Sequence, residues 1–319
     1  MSHVTAAFAM THTPGLGDRL HTAPPAQLET ITAGFAHGRE RIAKEKPDLI
    51  IALINDHFDM FNLGIMPAFA IGIADEHFGP PKDSEKWMQM ERRTFKGAPD
   101  YARAILKEAM DRGIELTRTG SAEFVHNLLI PLKFLRPEMD IPIIPVLVNC
   151  FAPPLPRLDR AYALGETIAD VIASRSEKVC LVASGGLSHW PPYPQEDRPL
   201  QDDLDHAMMT VFQEGTQARS RFPEIRSWVH KREAEMAQVR TDLINVEWDK
   251  RMLDAMSRGD RDAILGQDYE TIEEEAGLGG WEILCWTMLM GAMKARTGRT
   301  IFYEPVKEWM GGVTLFSYE

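Results

Sequence analysis

Three β-like apolar runs, each handing on to a histidine, constrain this chain more than any other feature. Val4-Thr5-Ala6-Ala7-Phe8-Ala9-Met10 leads to His12, Leu49-Ile50-Ile51-Ala52-Leu53-Ile54 leads to His57, and Val179-Cys180-Leu181-Val182-Ala183 leads through Ser184-Gly185-Gly186-Leu187-Ser188 to His189. Open α/β sheets bind ligands outside the carboxyl ends of their strands, so three imidazoles delivered to that edge suggest a metal or acid–base site. The intervening segments support the same architecture. Leu28, Ile31, Phe35 and Ile42 recur at helical spacing before Lys46-Pro47-Asp48 closes the segment. A helix near 100–112 ending at Gly113, an apolar run over 141–148, a helix carrying Leu164, Ile168, Val171 and Ile172, and the run at 179–183 continue the alternation. The pattern predicts an α/β fold with a largely parallel or mixed central sheet flanked by helices. Pro142 and Pro145 weaken the claim of the 141–148 run to a central position.

From about residue 200 the chain turns helical and charged, which predicts a helical C-terminal third. Lys231-Arg232-Glu233-Ala234-Glu235 reads as part of a solvated helix, and 244–257 as an amphipathic segment. No internal repeat or low-complexity linker divides the 319 residues, so 1–319 reads as a single domain. The formal charge of −12 argues against a phosphate-backbone partner, which calls for clustered Lys and Arg, and no nucleic acid is expected. Cys150, Cys180 and Cys285 lie in or beside apolar runs without a CxxC pair, which fits reduced thiols and a cytoplasmic location. The start Met1-Ser2-His3-Val4-Thr5 has no basic n-region, and no stretch approaches the roughly 18 consecutive apolar residues of a membrane span. Neither export nor a membrane anchor is expected.

One carboxylate stands out. Glu282 opens the segment Trp281-Glu282-Ile283-Leu284-Cys285-Trp286-Thr287-Met288-Leu289-Met290, which is apolar nearly all round and reads as a buried helix. A buried carboxylate needs a cation, hydrogen-bond donors or a metal. The other reading is a Glu facing solvent in a first helical turn, complementing the helix dipole. Two His and one carboxylate with the remaining positions open is the ligand set of non-haem Fe(II) oxygen-using enzymes, and His12, His57 and Glu282 can supply it. Three His without a carboxylate would favour zinc.

Several segments together resemble the class III (LigB-type) extradiol ring-cleavage dioxygenases, nearest the group of 2,3-dihydroxyphenylpropionate 1,2-dioxygenase and the protocatechuate 4,5-dioxygenase β subunit. They are Thr11-His12-Thr13-Pro14, Asn55-Asp56-His57 through Met66-Pro67-Ala68-Phe69-Ala70-Ile71-Gly72, His126 with Pro131-Leu132, Ser184-Gly185-Gly186-Leu187-Ser188-His189, Asn245-Val246-Glu247-Trp248-Asp249, and the Glu282 helix. The resemblance implies Fe(II) held by His12, His57 and Glu282, His189 as acid–base catalyst, and His126 assisting in the pocket. Where the family usually has Asp-His-Gly, this chain reads Val125-His126-Asn127, so no adjacent acid fixes the His126 tautomer. The implied reaction is extradiol cleavage of a catechol-like ring with both atoms of O2 retained in a ring-opened semialdehyde-type product. A 2-aminophenol or hydroxypyridone ring on the same site, a metal-dependent hydrolase, and a non-catalytic relative are the alternatives.

Thr13 and Trp190 adjoin the site histidines and are substrate-binding candidates. His3, His21, His37, His77, His206 and His230 read as ordinary polar residues. Asp56 and Asp59 read as a turn residue and a surface charge or as support for His57. Glu247 and Asp249 read as facing water, and Trp281 and Trp286 as core. The partners expected are a small aromatic substrate and O2, and a homo-oligomer. The 200–250 segment would either cover the site or build an oligomer interface.

Overall fold

The computed structural model describes residues 3–318. Strand β1 (Val4–Met10) is followed by helix α1 (Pro25–Glu45), which begins on a proline and closes at Lys46 in the left-handed conformation. After β2 (Leu49–Asn55) come β3 (Phe69–Gly72), β4 (Glu76–Gly79), the single-turn α2 (Glu85–Met88), β5 (Arg93–Lys96), α3 (Pro99–Asp111) and β6 (Thr117–Thr119). The alternation continues through α4 (His126–Leu135), β7 (Ile143–Val148), α5 (Leu158–Ala173) and β8 (Val179–Ser184). Helices α6 (Asp203–Glu214), α7 (Ile225–Val239), α8 (Val246–Arg258), α9 (Arg261–Leu265), α10 (Tyr269–Ala276) and α11 (Ile283–Ala292) then precede β9 (Gly298–Val306) and β10 (Gly311–Tyr318).

Eight of these strands form one mixed sheet in the order β6-β3-β7-β2-β8-β1-β10-β9. Its centre, β7-β2-β8-β1, is parallel, and β10 and β9 extend it antiparallel. Both faces are covered, which is why the central strands are apolar without interruption. Along β2, Leu49, Ile51 and Leu53 join a core with α3, α5, α8 and α11, whereas Ile50, Ala52 and Ile54 face a second core with α1 and α4. Cys150, Cys180 and Cys285 are buried and free. No helix among the described residues is long and apolar enough to cross a membrane.

One expectation about strands changes. The 141–148 run lies inside the sheet, between β3 and β2, despite its prolines. Its antiparallel ladder with β3 covers only Val146–Val148, so Pro145 falls just beyond the bonds that its missing N–H would have broken. The C-terminal third is helical until it ends in β9 and β10, whose Thr300-Ile301-Phe302-Tyr303 and Val313-Thr314-Leu315-Phe316 carry the β-branched and aromatic residues favoured in strands.

His77, on β4, is fully buried. Its Nδ1 accepts the Ala122 N–H at 3.0 Å, while Nε2 has no hydrogen-bond partner among the described residues. Burial lowers its pKa to about 4. The unfolded chain takes up this proton near the ordinary value of 6.5 whereas the fold resists until about 4, so stability is lost as pH falls through that window. The expected loss is about 3 kcal/mol. Denaturant melts of the wild type and H77Q at pH 8 and pH 4.5 check it: the pH-dependent part should shrink in the variant, and an unchanged difference would assign the acid sensitivity elsewhere.

Candidate metal centre and its cavity

Strand order brings the three leading histidines together. β8 lies between β1 and β2, all three run parallel, and their carboxyl ends open on the same edge. His12 follows β1 by two residues, His57 follows β2 by two, and the Gly185-Gly186 loop carries His189 away from β8. His126 arrives from the first residue of α4. One ring nitrogen from each of His12, His57 and His126 lies within 4.8 Å of the others. The His57 and His126 rings stack with centroids 4.6 Å apart, and His12 stands edge-on to both.

Glu282 enters this group from the turn that precedes α11, with 1% of its surface exposed, which excludes the solvent-facing reading. Its Oε1 is 2.9 Å from His57 Nε2 and 3.5 Å from His12 Nε2, and accepts the Asn55 side-chain N–H at 2.7 Å. The Gly186 N–H donates to Oε2. That approach explains Gly185, because a Cβ there would lie 2.8 Å from the Glu282 Cβ, while Gly186 takes a left-handed φ of 56°. Trp286 donates its indole N–H to the Gly185 carbonyl at 2.8 Å, so α11 fixes both the loop and the carboxylate.

Burial works against charge on Glu282, yet His12 and the hydrogen bonds from His12 and His57 hold its carboxyl well below the ordinary range. Burial outweighs Glu282 at His12 and lowers its pKa, and burial reinforced by His57 and His12 lowers that of His126 strongly. The result is a buried carboxylate grouped with His12 and His126, whose pKa values are lowered, and among the described residues no Lys or Arg is bonded to it. Such a donor set fits a divalent transition metal, because imidazole nitrogens and one carboxylate converge at a buried position. His12 Nδ1 meets the Ser184 hydroxyl at 2.8 Å, the outer contact that fixes a ligating imidazole. The buried Nδ1 of His57 has no hydrogen-bond partner among the described residues.

His189 faces the same space from the other side of the Gly185-Gly186 loop. Its Nδ1 lies 3.0 Å from the Leu187 carbonyl, which can only accept, so Nδ1 carries the proton and Nε2 keeps a lone pair in the neutral ring. The ring rests on Gly279, where a Cβ would come within 2.3 Å of three ring atoms. Backbone bonds from His189 N–H to Ala276 and from Gly279 N–H to His189 lock the loop to α10 and the turn after it.

Asp249, read from sequence as facing water, is fully buried instead. It accepts the Ser188 N–H at 2.7 Å and the Tyr303 hydroxyl at 2.5 Å, and burial pushes its carboxyl up to about 6. The Ser188 hydroxyl in turn accepts the Asn245 N–H at 2.7 Å. The Asn245-to-Asp249 motif therefore grips the residue next to His189. Glu247 is exposed, as expected. Asp56 is buried and accepts the backbone N–H groups of Asp59, Met60 and Phe61, shaping the turn that carries His57, while Asp59 pairs with Arg219 at 2.6 Å. Trp281 and Trp286 are core.

A cavity of about 640 Å³ opens over the site, and His12, Thr13, His57, His126, His189, Trp190 and Glu282 all line it. Thr13 is held by a hydrogen bond to the Trp309 carbonyl at 3.1 Å. The sequence reading missed the walls formed by Trp87, Phe151, Tyr193, Phe212, Phe222 and Trp309. Of the two roles open to the 200–250 segment, α7 takes up the covering one: its Ile225, Val229 and Glu233 line the cavity at helical spacing. Glu233, expected on a solvated face, is buried and paired with Arg19 at 3.1 Å. The 200–250 segment thus lies over the site of its own chain.

The family model described as the catalytic LigB subunit of aromatic ring-opening dioxygenase matches residues 6–313. Curated relatives named 2,3-dihydroxyphenylpropionate/2,3-dihydroxicinnamic acid 1,2-dioxygenase include one from Photorhabdus laumondii subsp. laumondii, 26% identical over 96% of this chain and 95% of its own length. Another, from Paraburkholderia phymatum, is 28% identical over 95% of this chain and 93% of its own. A solved structure of an uncharacterized protein from Escherichia coli K12 shares the fold with a TM-score of 0.51 and 11% identity, covering 99% of this chain and 100% of that one.

Proposed function

The chain belongs to the LigB family of aromatic ring-opening dioxygenases, and from that premise we propose that it cleaves a catechol-like ring beside its two hydroxyls, with Fe(II) held by His12, His57 and Glu282. The reaction joins the catechol and O2 into a ring-opened semialdehyde-type product that keeps both oxygen atoms. The observation that carries the reading is the buried Glu282 carboxylate against two strand-end imidazoles, at the floor of a cavity large enough for an aromatic ring. Ferrous iron bound there supplies the chemistry with O2 that side chains alone lack.

The chain's own groups supply the rest. Trp87, Phe151 and Tyr193 give the ring apolar walls and exclude water. His189 Nε2 takes a phenolic proton as the diol binds and returns one as the ring opens. His126, kept neutral by burial and stacked on His57, borders the reacting edge and offers a hydrogen bond to substrate or O2. Thr13 and Trp190 line the same cavity and are assigned contacts to the substrate. Three buried free thiols accord with action in the cytoplasm.

The second reading is a three-histidine zinc site, which the proximity of His12, His57 and His126 favours. Metal-free protein loaded anaerobically with Fe(II), or separately with Zn(II), separates the two. Iron is expected to give O2 uptake and a ring-opened product with a catechol, and zinc neither. Uptake that survives removal of the iron would overturn the metal assignment.

A further inference from the structure

Charged groups line the far wall of the cavity, and most are already matched. Arg219 holds Asp59 at 2.6 Å, and Glu233 holds Arg19 at 3.1 Å. Arg226 is different. Its guanidinium donates to the Ser84 hydroxyl at 3.0 Å, but the nearest carboxylate oxygen, on Asp83, is 3.8 Å away. Asp83 is itself half exposed, so that pair is loose and largely screened. Burial, with the neighbouring Arg219 charge, disfavours the Arg226 cation, which an anion in the cavity would relieve.

The position matters as much as the charge. Arg226 stacks over the Trp87 ring at 5.2 Å, and that ring lies 5.6 Å from His126, which stacks on His57. A continuous aromatic wall therefore leads from the candidate metal group to one guanidinium with spare donors. We propose that Arg226 is the subsite for a carboxylate carried on a short side chain of the catechol. The proposal rests on the ring-cleavage reading and adds to it the residue that would read the substituent. Arg suits the task because its planar fork meets a carboxylate through two parallel hydrogen bonds, and the partial shelter of α7 strengthens them.

The test compares 3-(2,3-dihydroxyphenyl)propionate with 3-propylcatechol, which has the same chain length without the charge, on the iron-loaded wild type and R226Q. The wild type is expected to favour the acid in kcat/KM. R226Q should cut that preference by about 10- to 100-fold, the worth of a charged hydrogen bond, mainly through KM for the acid. The ratio isolates Arg226 from any effect the substitution has on both compounds alike. If R226Q yields no folded protein, R226K takes its place, with a smaller fall in the same ratio expected because the charge remains and the fork is lost. A preference unchanged in the variant, or a wild type that cleaves 3-propylcatechol as well as the acid, overturns the subsite and leaves ring cleavage standing. Cleavage of neither compound overturns the ring-cleavage reading and the subsite with it.

Discussion

Under the proposed ligand set, replacing Glu282 by glutamine is expected to abolish Fe(II) binding and, with it, ring cleavage. The carboxylate is the single anion in the group, and glutamine keeps its shape and one acceptor oxygen while removing the charge. The fall in metal affinity should exceed the roughly 10- to 100-fold that loss of an outer contact to a metal ligand costs. Metal content after dialysis and calorimetric titration with Fe(II) under nitrogen would measure it. The same measurement on H126A tests the competing ligand set. Under the proposal H126A keeps its iron and loses only part of its rate, because His126 borders the site as a pocket group. If E282Q binds one metal with wild-type affinity while H126A binds none, the three-histidine group is the metal site and the Fe(II) assignment falls.

Replacing His189 by phenylalanine should leave the iron in place and slow turnover by roughly 10²- to 10⁴-fold, the usual weight of general acid–base catalysis. The ring is held by the Leu187 carbonyl and by contact with Gly279, so phenylalanine can occupy the same space without a proton to move. Single-turnover kinetics on the iron-loaded variant separate the steps: substrate binding should persist while product formation slows. A loss smaller than about tenfold would remove His189 from the proton-transfer role. In both experiments the metal content of the variant is the control that distinguishes lost chemistry from a lost centre.

Much of the site can be read along the chain because its groups sit at the ends of regular elements. His12, His57 and the loop to His189 follow apolar runs whose length and composition mark buried parallel strands. Glu282 is conspicuous because an ionisable group opens an otherwise apolar helix. Other residues carry no such mark. Asp249 sits in a helix with a polar face, and whether an acid there meets water or the Ser188 N–H depends on where that helix docks. Arg226 and Glu233 belong to a charged helix that reads as solvated until its packing over the cavity is known. Pro145 argues locally against an interior strand, and only the short reach of β3 makes that place tolerable.

Residue type and periodicity identified the β-α alternation, the strand-end imidazoles and the anomalous carboxylate, because hydrophobic spacing and the cost of burying charge act locally along the chain. The meeting of positions 12, 57, 126 and 282, the insertion of β8 between β1 and β2, and the closing of α7 over the cavity were decided by the tertiary structure. These are contacts between residues far apart in sequence, set by strand order and by which helix faces find each other. Neither quantity is encoded in any short window of residues.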